Sequence, residues 1–194
     1  MPHVDDLIRE GELAIRLMRD DADDYALLVR WRNEPHVAGW WTTDDDPTPT
    51  TLDRVVEKYG PRGEGASWVT PCVISLRDRP LGYVQFYPWS AEADEAREMG
   101  VPDVDGSYGL DIFIGEPDMI DRGVGSRAVA MLARHVFEAG DASAIALLTP
   151  VGNERAHRAY EKAGFRKVKQ TLDTDVVNGE RRMSWLMVLE RPLG

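Results

Sequence analysis

The 194-residue sequence has a single cysteine, Cys72. That excludes an internal disulfide and any Cys-x-x-Cys zinc or redox pair, and it fits a reducing compartment. Four histidines (His3, His36, His135, His157) occur without His-Glu-x-x-His or a similar spacing, so no metal site is expected. No apolar run of about 18 residues is present, and the opening MPHVDDLIREGELAIR has no apolar core of signal-peptide length. No membrane partner and a cytoplasmic location are therefore expected. Basic residues are scarce: 23 Lys and Arg face 34 Asp and Glu, a formal charge of −11. This sign argues against a nucleic-acid partner, whose affinity comes from basic contacts to phosphate. A cationic small molecule suits it better.

What is present fits one folded domain. Hydrophobic residues make up 43% of the chain, with six Trp and six Tyr, and the length suits a single domain over residues 1–194 with its core at about 11–191. Leu13, Ile15 and Leu17 alternate with polar residues as a first strand. Asp20 reads as the N-cap of a helix ending near Asn33 and Pro35. After PHVAGWW and the acidic Asp44, Asp45 and Asp46, a second helix starts at Thr50 or Thr51 and stops at Gly60-Pro61. Residues 68–76 and 81–87 read as a hairpin turned at Arg77-Asp78-Arg79-Pro80. Residues 90–106 read as an acidic surface loop whose negative field, from Glu92 to Asp105, leads into the strand that follows. Tyr108–Ile114 is a strand, and a long helix from about Arg122 places Val124, Ala128, Met131, Leu132 and Val136 on one face. Ala144–Leu148 is a buried strand, Asn153 opens a helix closed by Gly164, and Asn178-Gly179 turns a final hairpin. The order implies a mixed α/β sheet.

The stretch SYGLDIFIGEPDMIDRGVGSRAVAML carries the clearest chemistry. A strand runs into a turn, and Arg122-Gly123-Val124-Gly125-Ser126-Arg127 opens a helix. Glycines admit close backbone approach, and the open N–H groups at the positive helix end favour an anion such as a pyrophosphate. A structural glycine turn is the competing reading. The Gly-Lys-Ser/Thr ending of a nucleotide P-loop and the third glycine of the dinucleotide fingerprint are both missing.

About 30 residues downstream stands Asn153-Glu-Arg-Ala-His-Arg-Ala-Tyr160-Glu-Lys-Ala-Gly164-Phe165. With the glycine turn, it resembles the Gcn5-related N-acetyltransferase (GNAT) superfamily. The resemblance implies an α/β fold: a mixed, mostly antiparallel sheet flanked by helices, with splayed central strands. It implies acetyl-CoA as cosubstrate and no metal. Residues 122–127 would cradle the pyrophosphate, with Asn153 also at the cofactor. The backbone N–H groups of Ile112, Phe113 and Ile114 would bind the acyl carbonyl, and Tyr160 would approach the thioester sulfur.

The segments from Trp31 to Trp41, Leu81 to Tyr87 and Tyr108 to Asp118 are similar to aminoglycoside 6'-N-acetyltransferases. That resemblance implies Asp111 beside the acceptor amine, where a carboxylate can hold an ammonium and take its proton. Trp40, Trp41, Tyr108 and Asp105 are the expected acceptor contacts, and resistance by drug modification is the implied role. Tyr160 as a packing residue, Asp111 as a solvent-facing carboxylate and a core role for one of the two tryptophans are the bland readings.

Two departures stand out: Ile120 occupies the position where the superfamily usually has Gln or Arg, and Thr149-Pro150 replaces an Asp-Pro pair. A siderophore-pathway acyltransferase acting on lysine-type amines, a protein N-terminal acyltransferase and a non-catalytic drug- or CoA-binding protein are the alternatives. Monomer and homodimer both remain open.

Overall fold

The computed structural model describes residues 6–63, 67–140 and 142–192; His3 and the first five residues read above fall outside them. In chain order the elements are β1 (Asp6–Glu10), β2 (Leu13–Leu17), α1 (Ala22–Arg32), α2 (Pro35–Trp41), α3 (Leu52–Gly63), β3 (Thr70–Leu76), β4 (Arg79–Pro88), α4 (Ala93–Met99), β5 (Ser107–Ile114), α5 (Val124–Ala139), β6 (Ala144–Pro150), α6 (Glu154–Lys162), β7 (Arg166–Val177) and β8 (Glu180–Glu190). The strands form one sheet in the order β1-β2-β3-β4-β5-β6-β8-β7, antiparallel throughout except between β5 and β6. This is the mixed α/β architecture that the sequence implies.

Alternation along the strands divides the core. Leu13, Ile15, Cys72, Ile74, Val84 and Leu110 pack on one face beneath α5 and α6. Val73, Tyr83 and Phe113 face the other side, under residues of α1, α2 and α3. Each apolar position predicted on the long helix, from Val124 to Val136, is buried. Two hairpins turn through left-handed pairs, Arg77-Asp78 (φ 53° and 62°) and Asn178-Gly179 (φ 55° and 77°), the backbone twist that suits a two-residue connection.

Several elements differ from the sequence reading. β1 precedes the expected first strand; its residues are all half-buried at a sheet edge, so its apolar alternation is weak. The cap of α1 is Asp21, which accepts the Asp24 N–H at 2.9 Å, while Asp20 accepts the Tyr25 hydroxyl. PHVAGWW is itself a helix opened by Pro35, and α3 continues through Pro61. The acidic segment 90–106 is not a loop: a 3₁₀ turn and α4 fold there. Trp89, Ala96, Met99 and Val101 anchor it on Ala144, Ala146, Leu186 and Val188. These few apolar side chains are obscured in sequence by the exposed acids between them.

Candidate active site

β5 and β6 pair only through Ser107 with Ala144 and Tyr108 with Ile145, then diverge. On its other edge β5 stays laddered to β4 as far as Ile114. The Gly115 N–H is donated to the Leu81 carbonyl at 2.8 Å, on the β4 side. The Ile114 carbonyl accepts from His36 Nε2 at 2.9 Å, on the open side. Because backbone groups alternate in direction along a strand, Ile112 and Ile114 present theirs to the gap. The Phe113 N–H turns the other way, into the ladder with Tyr83, so the expected trio of donors reduces to two.

The gap opens into a first cavity. Ile112, Phe113, Ile114, Gly123, Val124, Gly125, Ser126, Asn153, Tyr160, Trp40 and Trp41 all line it, which brings most of the sequence-predicted site together. Gly123, at φ 73°, is the N-cap of α5 and makes no side-chain cap, so the helix's first N–H groups stay open to an anion. Asn153 caps α6, accepting the Ala156 N–H at 3.2 Å. Met119 and Ile120 supply apolar wall, which is what the Ile120 departure means in space. Arg122 and Arg127 are exposed and lie outside the lining; Arg155, Arg158 and Lys162 of α6 provide its cations instead. An extended chain carrying amides and ending in phosphates fits this arrangement: strand-like donors at one end, an uncapped helix and cations at the other. These residues would hold acetyl-CoA.

A second cavity adjoins the first, sharing Trp40, Trp41, Ile112, Asn153, Ala156 and Tyr160. Its floor holds Asp111, whose Oδ2 accepts from Gln85 Nε2 at 2.8 Å. Gln85 is oriented in turn by the Tyr83 hydroxyl at 2.8 Å and Arg62 Nη1 at 2.6 Å, both donating to its Oε1. The residue two before Asp111 must be glycine: a Cβ on Gly109 would lie 2.2 Å from the Tyr87 ring, which covers the strand there. Burial raises the Asp111 pKa, and the Gln85 hydrogen bond and Arg62 oppose the shift.

Other carboxylates crowd the same wall. Burial and the neighbouring Glu95 push Glu92 up to about 7; burial, Asp173 and Asp111 push Asp175 up to about 6. Burial first, then the Asp111 charge, raises Tyr160 above the ordinary phenol value, so its hydroxyl stays protonated and able to donate. Trp41 packs edge-on against Phe113 at 4.7 Å and Tyr83 at 6.1 Å, whereas Trp40 is 38% exposed. Both bland and functional readings thus hold for Trp41, which is a packing residue and a cavity wall.

Two expected acceptor contacts fall elsewhere. Asp105 is exposed in the turn before β5 and lines neither cavity; the stretch of β5 from Ser107 to Asp111, about 13 Å of extended strand, separates that turn from Asp111. Tyr108 lies on the face opposite Asp111, packed against the cluster under α5. Asp44 accepts the Asn178 and Gly179 N–H groups, each at 2.8 Å, as a loop clamp. Asp46 is buried against Arg32 at 2.7 Å and Lys58 at 2.6 Å. Arg182 of β8 also lines the second cavity. Cys72 is fully buried, its thiol pushed up to about 12 by burial, so it offers no nucleophile. The acidic run expected before β5 reaches the cavity through Glu92 and Glu95, whereas Gln85, Asp173, Asp175, His36 and the α6 cations are not anticipated from sequence. Only the last carry a usable signal, the i, i+3, i+7 spacing after Asn153.

A family model described as an acetyltransferase (GNAT) domain matches residues 20–172. An aminoglycoside N(6')-acetyltransferase type 1 from Klebsiella pneumoniae is 30% identical over 163 residues, covering 80% of this chain and 74% of that protein. The lysine N-acyltransferase MbtK from Mycolicibacterium paratuberculosis is 29% identical over 168 residues, covering 86% and 68%. The solved structure of AAC(6')-Ib in complex with ribostamycin and coenzyme A superposes with a TM-score of 0.80 at 28% identity, covering 93% of this chain and 94% of that one. The family model spans more than half of the chain, over the splayed strands, glycine turn and capped α6 described above: the chain belongs to the GNAT acetyltransferase family and is an acyltransferase enzyme.

Proposed function

We propose that the protein transfers acetyl from acetyl-CoA to an amino group of a polycationic small molecule, the 6'-amine of an aminoglycoside, and so confers resistance by modifying the drug in the cytoplasm. The observation that carries this reading is the second cavity. Asp111, Glu92, Glu95, Asp173 and Asp175 line it beside the faces of Trp40, Trp68 and Tyr87, a combination suited to ammonium groups on sugar rings. The names of the similar enzymes point the same way.

Acetyl-CoA supplies an acyl group already activated as a thioester. The Ile112 and Ile114 N–H groups, on the open edge of β5, donate to the acyl oxygen as negative charge builds there. Asp111 holds the ammonium, and its raised pKa brings it nearer the working range for accepting the proton. Gln85 keeps the carboxylate oriented. Tyr160 gives its proton to the departing sulfur. With the only cysteine sealed in the core, attack is direct and the two cavities meeting at Ile112 and Tyr160 position both reactants.

Thiol release from acetyl-CoA, followed with kanamycin, a lysine derivative and a short peptide in turn, tests the assignment. Turnover confined to kanamycin is expected. Turnover confined to the lysine compound or the peptide overturns the acceptor, and binding of drug and acetyl-CoA without thiol release overturns the enzymatic reading.

A further inference from the structure

The first cavity has a charge pattern that the glycine turn does not explain. On α6, Arg155, Arg158 and Lys162 stand at i, i+3 and i+7, one helical face, and all three line the cavity beyond the glycine turn. Among the described residues none of the three has a carboxylate within ion-pair distance. Many cations elsewhere in this acidic chain do pair with carboxylates, among them Arg16 with Asp24, Arg32 with Asp46 and Arg79 with Asp118, and the unpaired ones among the described residues do not converge three at a time on one cavity. The one carboxylate in the lining is Asp121, at the turn itself, where φ is 58°. Three adjacent positive side chains facing one space repel one another, a cost offset by a ligand of concentrated negative charge. A pyrophosphate on the uncapped start of α5 is already served by backbone N–H groups and needs no help from α6.

We infer that the α6 face formed by Arg155, Arg158 and Lys162 is a separate phosphomonoester subsite, which holds the ribose 3'-phosphate of the acyl carrier and makes the enzyme select coenzyme A over carriers lacking that group. The inference rests on the acetyl-CoA reading above and sharpens it. Arg155, half-buried, is the inner wall of the subsite; Arg158 and Lys162, exposed, close it from solvent. Charge-assisted contacts of this kind are stronger than neutral ones, and on an exposed helix they are weakened by salt.

The test is calorimetric binding of coenzyme A and of dephospho-coenzyme A to the wild-type chain and to Arg158→Gln/Lys162→Gln, with no acceptor present. Wild type is expected to bind coenzyme A about tenfold more tightly, with the gap shrinking as salt rises from about 0.05 to 0.5 M. The double variant is expected to bind both ligands alike, at the affinity wild type shows for the dephospho form. Equal affinities in wild type, or a gap that survives in the double variant, overturn the subsite and leave the acetyl-CoA reading standing. Failure of both ligands to bind wild type overturns the acetyl-CoA reading and the subsite with it.

Discussion

Asp24, Asp46 and Glu116 on one side, and Asp111, Glu92 and Asp175 on the other, are carboxyls removed from water to differing degrees, and burial pushes every one of them toward the neutral acid. In the first set that push is overcome. Asp24 accepts from both guanidinium nitrogens of Arg16 at 2.6 Å and from the Arg19 N–H at 2.8 Å. Asp46 has Arg32 and Lys58. Glu116 takes the Trp31 indole N–H at 2.8 Å, Arg30 at 2.5 Å and Arg79 at 2.8 Å. All three titrate below their ordinary range. In the second set the neighbours are other acids, the opposing cations are too few, and the values rise. Acids of the first kind hold the scaffold together; those of the second outnumber Lys58, Arg62 and Arg182 in the same cavity and leave a net negative field, which a cationic substrate can balance.

The sharpest way to break this distinction is a pair of isosteric changes. Asp111→Asn is expected to lower kcat for the drug by about 10²- to 10⁴-fold, the usual contribution of a positioned acid or base, with acetyl-CoA affinity unchanged. Its thermal midpoint should hold or rise, because the fold disfavours the Asp111 charge and Asn still accepts from Gln85. Near-normal turnover in this variant would remove Asp111 from the proton path.

Asp46→Asn should do the reverse. It leaves the fully buried Arg32 without its carboxylate, a change costing about 3–5 kcal/mol, or a fall of roughly 10 °C or more for a chain of this size. Calorimetry of both variants checks the pair. A destabilised Asp111→Asn with an unaffected Asp46→Asn would erase the difference between the sets.

Much of this is legible in the amino-acid sequence alone. Periodicity located β2, β5, α5 and the β3–β4 hairpin, and the glycine turn with Asn153 and Tyr160 marked the first cavity, because those features are local. The second cavity was not legible beyond Asp111 and the two tryptophans. Its carboxylates come from the 3₁₀ turn, α4, β5 and β7, brought together only when Trp89 and Met99 dock on β6 and β8. Asp105 belongs to the acidic run that leads into β5, but its turn precedes Ser107 and lies outside both cavities. Glu92 and Glu95, in the same run, do reach the cavity.

Titration separates the two sets in opposite directions. With unfolded values of about 4.3 for Glu and 3.9 for Asp, Glu92 at about 7 and Asp175 at about 6 bind more protons folded than unfolded between about pH 4 and 7, so their contribution to stability declines as pH rises through that window. The depressed set works on the acid side, where its stabilisation is lost as pH falls through the folded values. The thermal midpoint should therefore peak at about pH 4–5. Drug affinity should strengthen from about pH 5.5 to 7.5 as the same wall ionises. Glu92→Gln should flatten both slopes near neutrality, and unchanged slopes would show that its carboxyl titrates as if exposed.

The smallest effect expected concerns the join between the regions. Glu116 follows β5, held to α1 by Trp31 and Arg30; Ile114, two residues earlier, is held to α2 by His36. The same α2 helix carries Trp40 and Trp41 into both cavities. His36→Leu removes the donor to the Ile114 carbonyl while keeping bulk, so the end of β5 and the tryptophan helix lose a common anchor. A single neutral hydrogen bond is worth about 1 kcal/mol, which sets the scale at several-fold rather than orders of magnitude. The loss should fall mainly on KM for acetyl-CoA, because Ile114 lies on the donor edge, with a smaller change for the drug. His36→Gln, which can still donate, should recover most of it. Equal losses in Leu and Gln variants would mean that ring packing, not the hydrogen bond, ties the scaffold to the site.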